Sequence, residues 1–91
     1  MPEEKLREAA EKEVSRINEI MSGLKVVKES KETGEFLILI QAYHKDSNHF
    51  LEKGKNLEAF EAAIIVWAYV DAGLRLGIFS VEEKHRKLFT V

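Results

Sequence analysis

Apolar residues recur along the chain at the three-to-four-residue spacing of amphipathic helices, in three stretches that polar turns separate. The first stretch runs from about residue 3 to residue 28, and its apolar positions form one stripe that only Glu13 interrupts. The second covers residues 35–53 and the third covers residues 57–76. No stretch alternates strictly between apolar and polar residues, as a half-buried strand would. The pattern predicts an all-α fold.

Short connectors decide how the three helices are arranged. Residues 29–34 are polar and end in glycine. Residues 54–56 form a tight turn, in which Gly54 suits the left-handed conformation and Asn56 suits the N-cap of the third helix. Connectors this short place consecutive helices antiparallel. We therefore expect one domain over residues 1–91, a three-helix up-and-down antiparallel bundle.

The residues after the third helix predict a short helical tail over residues 77–91. Gly77 is expected to end the third helix, and Ser80 with Glu83 has the form of a capping box that would begin a last helix. Three apolar residues near the end of this tail can fold back on the bundle: Leu88, Phe89 and Val91.

The third helix is apolar on almost every side, so more than one of its faces must be covered. We assign the side with Phe60, Ile64, Trp67 and Asp71 to the core of the bundle. A second ridge would then be exposed, and exposed apolar strips mark contact sites. This ridge consists of Ala59, Ala63, Val66, Val70 and Gly73. Its expected cover is a second copy of the chain, giving a homodimer through helix three, or the tail.

Two acids fall on the inner seams of the expected bundle. The positions of the turns place Asp46 level with Arg16 and bring Tyr43 near Asp71. A buried carboxylate destabilises the fold unless it is paired, so Arg16 and Tyr43 are the expected partners. The two acids could instead bind a cation or do acid–base chemistry. We prefer the structural role, because no third ligand converges on them.

The composition excludes several classes of function. The 91 residues include no cysteine, which rules out thiolate catalysis and Cys-ligated metal sites and is compatible with a reducing cytoplasm. The longest apolar run, residues 62–70, is far shorter than the roughly 20 residues of a membrane span. A net charge of -2 gives no general attraction to nucleic acid. We expect a cytoplasmic protein with an unknown protein partner and with no membrane segment, nucleic-acid partner, cofactor or metal.

The histidines offer no stronger sign of chemistry. His44 and His49 are five residues apart, which puts them on different faces of a helix and not at the i, i+4 spacing that chelates a metal. His85 lies in the basic run of residues 84–87. We interpret all three histidines as solvated surface residues, and we expect no catalytic residue.

The second and third helices resemble a known family. The residues that carry the resemblance are Tyr43-His-Lys-Asp46-Ser-Asn-His-Phe50-Leu-Glu-Lys-Gly54, followed by Leu57, Ala59, Phe60, Ala68, Asp71, Ala72 and Gly73. They resemble the archaeal family catalogued as domain of unknown function 357, whose members are small three-helix up-and-down bundles. The resemblance implies an archaeal cytoplasmic protein with this fold. It implies no activity, because none is assigned to the family.

Three classes of function remain, and a non-catalytic structural or protein-interaction module ranks first. The alternative is a degenerate nucleotide- or RNA-binding helical domain without nuclease activity. The hairpin of helices two and three resembles the two-helix domains of toxin systems, but it lacks their arginine followed four to six residues later by histidine. A metal–carboxylate enzyme ranks third.

Overall fold

The computed structural model describes residues 2–89, and the fold is all-α, as predicted. Three long helices pack against one another, and a short two-stranded sheet and a fourth, short helix complete the described part of the chain. In chain order the elements are α1 (Glu3–Ser22), β1 (Lys25–Val26), α2 (Lys31–Glu52), α3 (Asn56–Arg75), β2 (Phe79–Ser80) and α4 (Glu83–Arg86). The predicted contact of Val91 lies outside the described residues.

Helix α3 is the centre of the bundle, because α1 and α2 both pack mainly against it and only lightly against each other. The up-and-down order makes α1 and α3 parallel, so their N-terminal ends meet, and Asn56 Nδ2 donates a 2.8 Å hydrogen bond to Glu3 Oε1 there. The buried core is mainly aliphatic: Ala10, Val14, Ile17, Ile20, Ile40, Ala59, Ala63, Val66, Val70, Ile78, Phe79 and Phe89.

Helix α1 ends at Ser22, and the predicted end near residue 28 is wrong. The Gly23 N–H closes the helix by donating to the carbonyls of the preceding turn. The chain then leaves the helix because β1 pairs antiparallel with β2, with Lys25 opposite Ser80 and Val26 opposite Phe79. A pattern read within a local window cannot reveal this pairing, since the partner strand lies beyond α3.

Helix α2 begins at Lys31, earlier than the predicted residue 35. Ser30 is the N-cap: its backbone is extended, and its Oγ accepts a 3.1 Å hydrogen bond from the Thr33 N–H. Thr33 is fully buried, and its Oγ1 donates to the Lys28 carbonyl at 2.6 Å. Gly34 consequently lies inside the helix and does not form the turn.

The two predicted glycine turns are confirmed. Gly54 and Gly77 each have φ +74°, and each follows a long helix. The Lys55 N–H donates to the Phe50 carbonyl at 2.9 Å, and the Ile78 N–H donates to the Gly73 carbonyl at 3.0 Å. These are the six-to-one bonds of a Schellman motif, which satisfies the last carbonyls of a helix.

Two predicted caps do not form. Asn56 is the first residue of α3 and is only 6 % exposed, and its side chain binds Glu3 where a cap was expected. Ser80 belongs to β2, so α4 begins later, at Glu83, without a side-chain cap. In both cases the residue that the local pattern assigned to a helix terminus makes a contact with a distant part of the chain instead. The Asn56 side chain binds Glu3, and Ser80 pairs with Lys25 of β1.

Candidate functional site

The predicted interface ridge lies inside the bundle. Ala59, Ala63 and Val66 are 0 % exposed, Val70 is 1 % exposed, and Gly73 is also buried. Small side chains let the neighbouring elements come close to α3, and a methyl group on Gly73 would clash with the ring of Phe79. The prediction that this ridge forms a homodimer interface is therefore wrong. Phe79 of the tail covers Gly73, in agreement with the other expectation, that the tail packs on this ridge.

Only part of the side that we had assigned to the core faces outward, because Phe60 and Trp67 are partly buried and pack against the core. Leu57 is 52 % exposed and Ile64 is 42 % exposed. We call the exposed residues along this face the outer strip: Leu57, Glu61, Ile64, Ala68 and Arg75. Their spacings of three, four and seven residues put them on one side of a helix. The outer strip is apolar at Ile64 and Ala68 and carries a charge on either side of them, at Glu61 and Arg75.

A shallow depression of about 310 Å³ borders the outer strip. Ile64, Trp67, Ala68 and Asp71 of α3 line it together with Leu88 and Phe89 of the tail. The ring centroids of Trp67 and Phe89 lie 4.8 Å apart, which fixes the tail on this side of the bundle. Leu88 is 39 % exposed and extends the apolar surface of the outer strip.

Asp71 is half-buried in this depression. Its Oδ2 accepts a 3.2 Å hydrogen bond from Arg75 Nε, one helical turn later, and its Oδ1 is buried without a hydrogen-bond partner. The expected partner, Tyr43, makes no hydrogen bond with it and lies in a different groove. The expectation failed because Asp71 lines the depression beside the tail, whereas Tyr43 lines a groove between α2 and α3.

Asp46 and Arg16 do not pair. Asp46 is exposed on α2, whereas Arg16 lies 3.4 Å from Glu13 on its own helix and 5.9 Å from the ring centroid of Trp67. Helix α1 packs mainly on α3, and Arg16 accordingly lies near Trp67 of α3 and not near Asp46 of α2.

A second groove, between α2 and α3, contains Asp46. It has a volume of about 320 Å³ and is lined by Tyr43, Asp46, Phe50, Glu58, Glu61, Ala62 and Ile65. Its lining thus includes three carboxylates and two aromatic rings. Within residues 2–89, no three His, Cys, Asp or Glu side chains are close enough together to hold a metal ion.

Glu13 has a structural role that the sequence analysis missed. Its Oε1 accepts a 3.1 Å hydrogen bond from Trp67 Nε1, while its Oε2 faces Arg16. The carboxylate thus links α1 to α3 and satisfies the indole N–H. The signal was present in the sequence, because Glu13 is the one acid in the apolar stripe of the first helix.

A polar cluster joins α1 to α2. His44 Nε2 donates to Asn18 Oδ1 at 2.6 Å, and the side-chain amides of Asn18 and Asn48 exchange hydrogen bonds of 3.0 and 3.1 Å. Partial burial lowers the pKa of His44, because the charged imidazolium loses hydration there. His44 is therefore not the solvated residue that we predicted.

His85 was also predicted to be solvated and is in fact 7 % exposed. Its Nε2 lies 3.6 Å from Glu19 Oε2 of α1, and its Nδ1 is buried without a hydrogen-bond partner. His85 holds α4 against α1, in the same way that Phe89 holds the tail against α3. His49, in contrast, is exposed as predicted.

A cavity of about 530 Å³ lies at the end of the bundle where α1 and α3 begin. Glu3, Glu4, Arg7, Glu11, Leu51, Gly54 and Asn56 line it. Its one deeply buried polar side chain is Asn56, which already binds Glu3.

None of the described helices, which cover parts of residues 2–89, is long and apolar enough to cross a membrane.

Comparisons with known proteins agree with this architecture. The family model described as protein of unknown function (DUF357) matches residues 3–79. The crystal structure of protein AF1782 from Archaeoglobus fulgidus, which carries the same family description, superposes with a TM-score of 0.70 at 37 % sequence identity. The alignment covers 87 % of this chain and 96 % of that one. No curated protein matches the chain. The chain belongs to the DUF357 family, which confirms the resemblance seen in the sequence.

Proposed function

We propose that the protein is a non-catalytic protein-interaction module of the cytoplasm and that the outer strip of α3 is its contact surface. The observation that carries the proposal is the exposure of large aliphatic side chains along this strip, where Leu57 is 52 % and Ile64 is 42 % exposed. Burying apolar surface is the main favourable contribution to most protein associations, and contiguous exposed apolar surface marks interaction sites.

The surroundings of the outer strip support this function. Leu88 of the tail widens the strip on one side, and the groove with Tyr43 and Phe50 borders Glu61 on the other. Interfaces typically combine an apolar centre with aromatic residues and a charged rim. The acids Asp46, Glu58 and Glu61 provide charges at that rim.

Affinity capture with matched variants tests the proposal. Tagged wild-type protein, Ile64→Glu and Ile38→Glu are each incubated with a lysate of the source organism. Ile38 is a suitable control because it is 68 % exposed but lies on α2 and lines neither groove. We expect the wild type and Ile38→Glu to retain the same proteins and Ile64→Glu to lose them. Equal retention by all three would refute the outer strip as the contact surface.

The same experiment examines the alternative, an RNA- or nucleotide-binding domain. Lys84, Arg86 and Lys87 are exposed on the tail, and cations so placed can contact phosphates. Absorbance at 260 nm in the eluate, lost after nuclease treatment and unaffected by Ile64→Glu, would favour that alternative over the interaction module.

A further inference from the structure

We infer that the partner of the outer strip is a second copy of this chain, bound with the two α3 helices antiparallel. This inference rests on the proposed function and adds the identity and orientation of the partner. It differs from the dimer predicted from the sequence, since that dimer used the ridge that is now seen in the core.

The order of residues along the outer strip is self-complementary. Glu61 lies seven residues before Ala68, and Arg75 lies seven residues after it. In an antiparallel pair with its two-fold axis beside Ala68, Glu61 of each copy is level with Arg75 of the other. The same symmetry places Ile64 level with Ala72, a large side chain against a small one. An isologous contact requires this kind of matching within one surface.

The charges also exclude the parallel arrangement. Side by side in the same direction, the copies would place Glu61 next to Glu61 and Arg75 next to Arg75, and like charges across an interface oppose binding. Arg75 already binds Asp71 at 3.2 Å, and its side chain is 51 % exposed. Its positive charge therefore lies at the surface, where it attracts a carboxylate of the other copy.

Ala68 favours close contact at the symmetry axis. Its side chain is one methyl group and is exposed, so two α3 helices can approach each other closely there. Leu88, which lines the depression next to Ala68, adds apolar surface beside the axis. The centre of the contact is therefore apolar and the charged pairs lie at its two ends.

The size of the strip sets the expected strength of the dimer. With the axis beside Ala68, the two α3 helices overlap from Glu61 to Arg75, which is about 21 Å at the helical rise of about 1.5 Å per residue, and the contact is about one helix diameter wide. A contact of this area falls among the small, weak interfaces. We therefore expect a reversible dimer that is populated between about 10 µM and about 1 mM protein.

Sedimentation equilibrium of the wild type and of charge-reversal variants tests the arrangement. Glu61→Arg alone and Arg75→Glu alone should each raise the dissociation constant by about tenfold or more, because each replaces two attractive contacts by two repulsive ones. An equimolar mixture of the two variants should associate again, since every Glu61–Arg75 contact between unlike chains then regains opposite charges. Far-UV circular dichroism of each variant verifies that it is folded.

Three results decide the inference. Restored association in the mixture supports the antiparallel dimer. A wild type that stays monomeric at about 1 mM overturns it, and so does a dimer that Glu61→Arg leaves unchanged or that mixing fails to restore. If the wild type is monomeric while Ile64→Glu still loses its captured proteins, the inference fails and the proposed function stands. If capture is also insensitive to Ile64→Glu, both fail.

Discussion

Glycine serves two different purposes in this chain. Gly54 and Gly77 adopt φ +74°, which few other residues tolerate, and their neighbours in sequence are enough to predict both turns. Gly73 has an ordinary helical backbone and is needed for space, because Phe79 lies where a side chain would begin. That second purpose depends on a residue that returns from another element, although the sequence did indicate that something approaches closely.

Gly73→Ala should destabilise the protein by about 1–3 kcal/mol, because the added methyl group must displace the buried Phe79 ring. Gly34→Ala is the matched control. Gly34 also lies within a helix, but nothing is within 4 Å of the place its methyl group would take. That substitution should stabilise the protein by about 0.5–1 kcal/mol. Chemical denaturation of both variants measures the difference, and equal effects would contradict the packing described for Phe79.

The lowered pKa of His44 makes stability depend on pH. The unfolded chain binds a proton near the ordinary value of 6.5, while the folded chain binds it only at a lower pH. Between these two values the unfolded state carries more protons, so stability rises with pH. The contribution of His44 to the free energy of unfolding should therefore be fully present above pH 6.5. It should be lost as the pH falls through the lower pKa of the folded state.

Urea unfolding over a series of pH values, for the wild type and for His44→Gln, measures this contribution. Glutamine can still donate to Asn18 but does not titrate in this range. The loss of stability on lowering the pH should be smaller in the variant than in the wild type. Identical slopes for the two proteins would show that His44 has the same pKa folded and unfolded.

At the scale of the secondary-structure elements, a side-chain hydrogen bond links α1 to α3. Glu13 connects the two helices by accepting from Trp67 Nε1 at 3.1 Å. Glu13→Ala should lower the free energy of unfolding by about 1–3 kcal/mol, because the indole N–H loses its partner. Glu13→Gln keeps an acceptor and should cost less than half as much. Denaturation followed by Trp67 fluorescence compares the two variants, and an equal loss in both would assign the effect to charge instead.

The boundaries of the elements show which parts of the fold can be read locally. The starts and ends at Ser30, Gly54 and Gly77 rest on hydrogen bonds between residues a few positions apart. Of these, we predicted both glycine turns but overlooked Ser30. The end of α1 rests on the pairing of β1 with β2. Gly23, directly after Ser22, was a local signal for this end that we overlooked. The strand pairing has no such signal, since Lys25 and Val26 fit a helical pattern equally well.

For the whole molecule, the sequence predicted the bundle but placed at its centre a face of α3 whose side chains are exposed or only partly buried. A helix that is apolar nearly all round has only a weak preference for which side faces inward. The structure buries the small side chains, among them Ala59 and Ala63, and leaves Ile64 partly exposed. Small residues allow three helix backbones to approach closely, and this depends on packing that hydrophobicity alone does not describe. The predicted pair of Asp71 with Tyr43 failed for the same reason, whereas the pair of Asp46 with Arg16 failed because α1 packs mainly on α3.

Two substitutions two residues apart test the orientation of α3. Val66→Glu places an unpaired charge at a position that is 0 % exposed and should cost about 4 kcal/mol or more, a large part of the stability of a small domain. Ile64→Glu changes a residue that is 42 % exposed and should cost less than about 1 kcal/mol. Far-UV circular dichroism and thermal melting distinguish them. A folded Val66→Glu and an unfolded Ile64→Glu would restore the orientation first expected from the sequence.

The two short strands also have a consequence for the order of folding. Helices α2 and α3 are joined by a tight turn and can meet through contacts that are local in sequence, whereas β1 and β2 pair across the whole hairpin. Closing a long loop costs more entropy than closing a short one, and such contacts slow folding. The hairpin is therefore expected to form early. The strand pair is then expected to form late, and its pairing joins the end of the first helix to the tail in a single step.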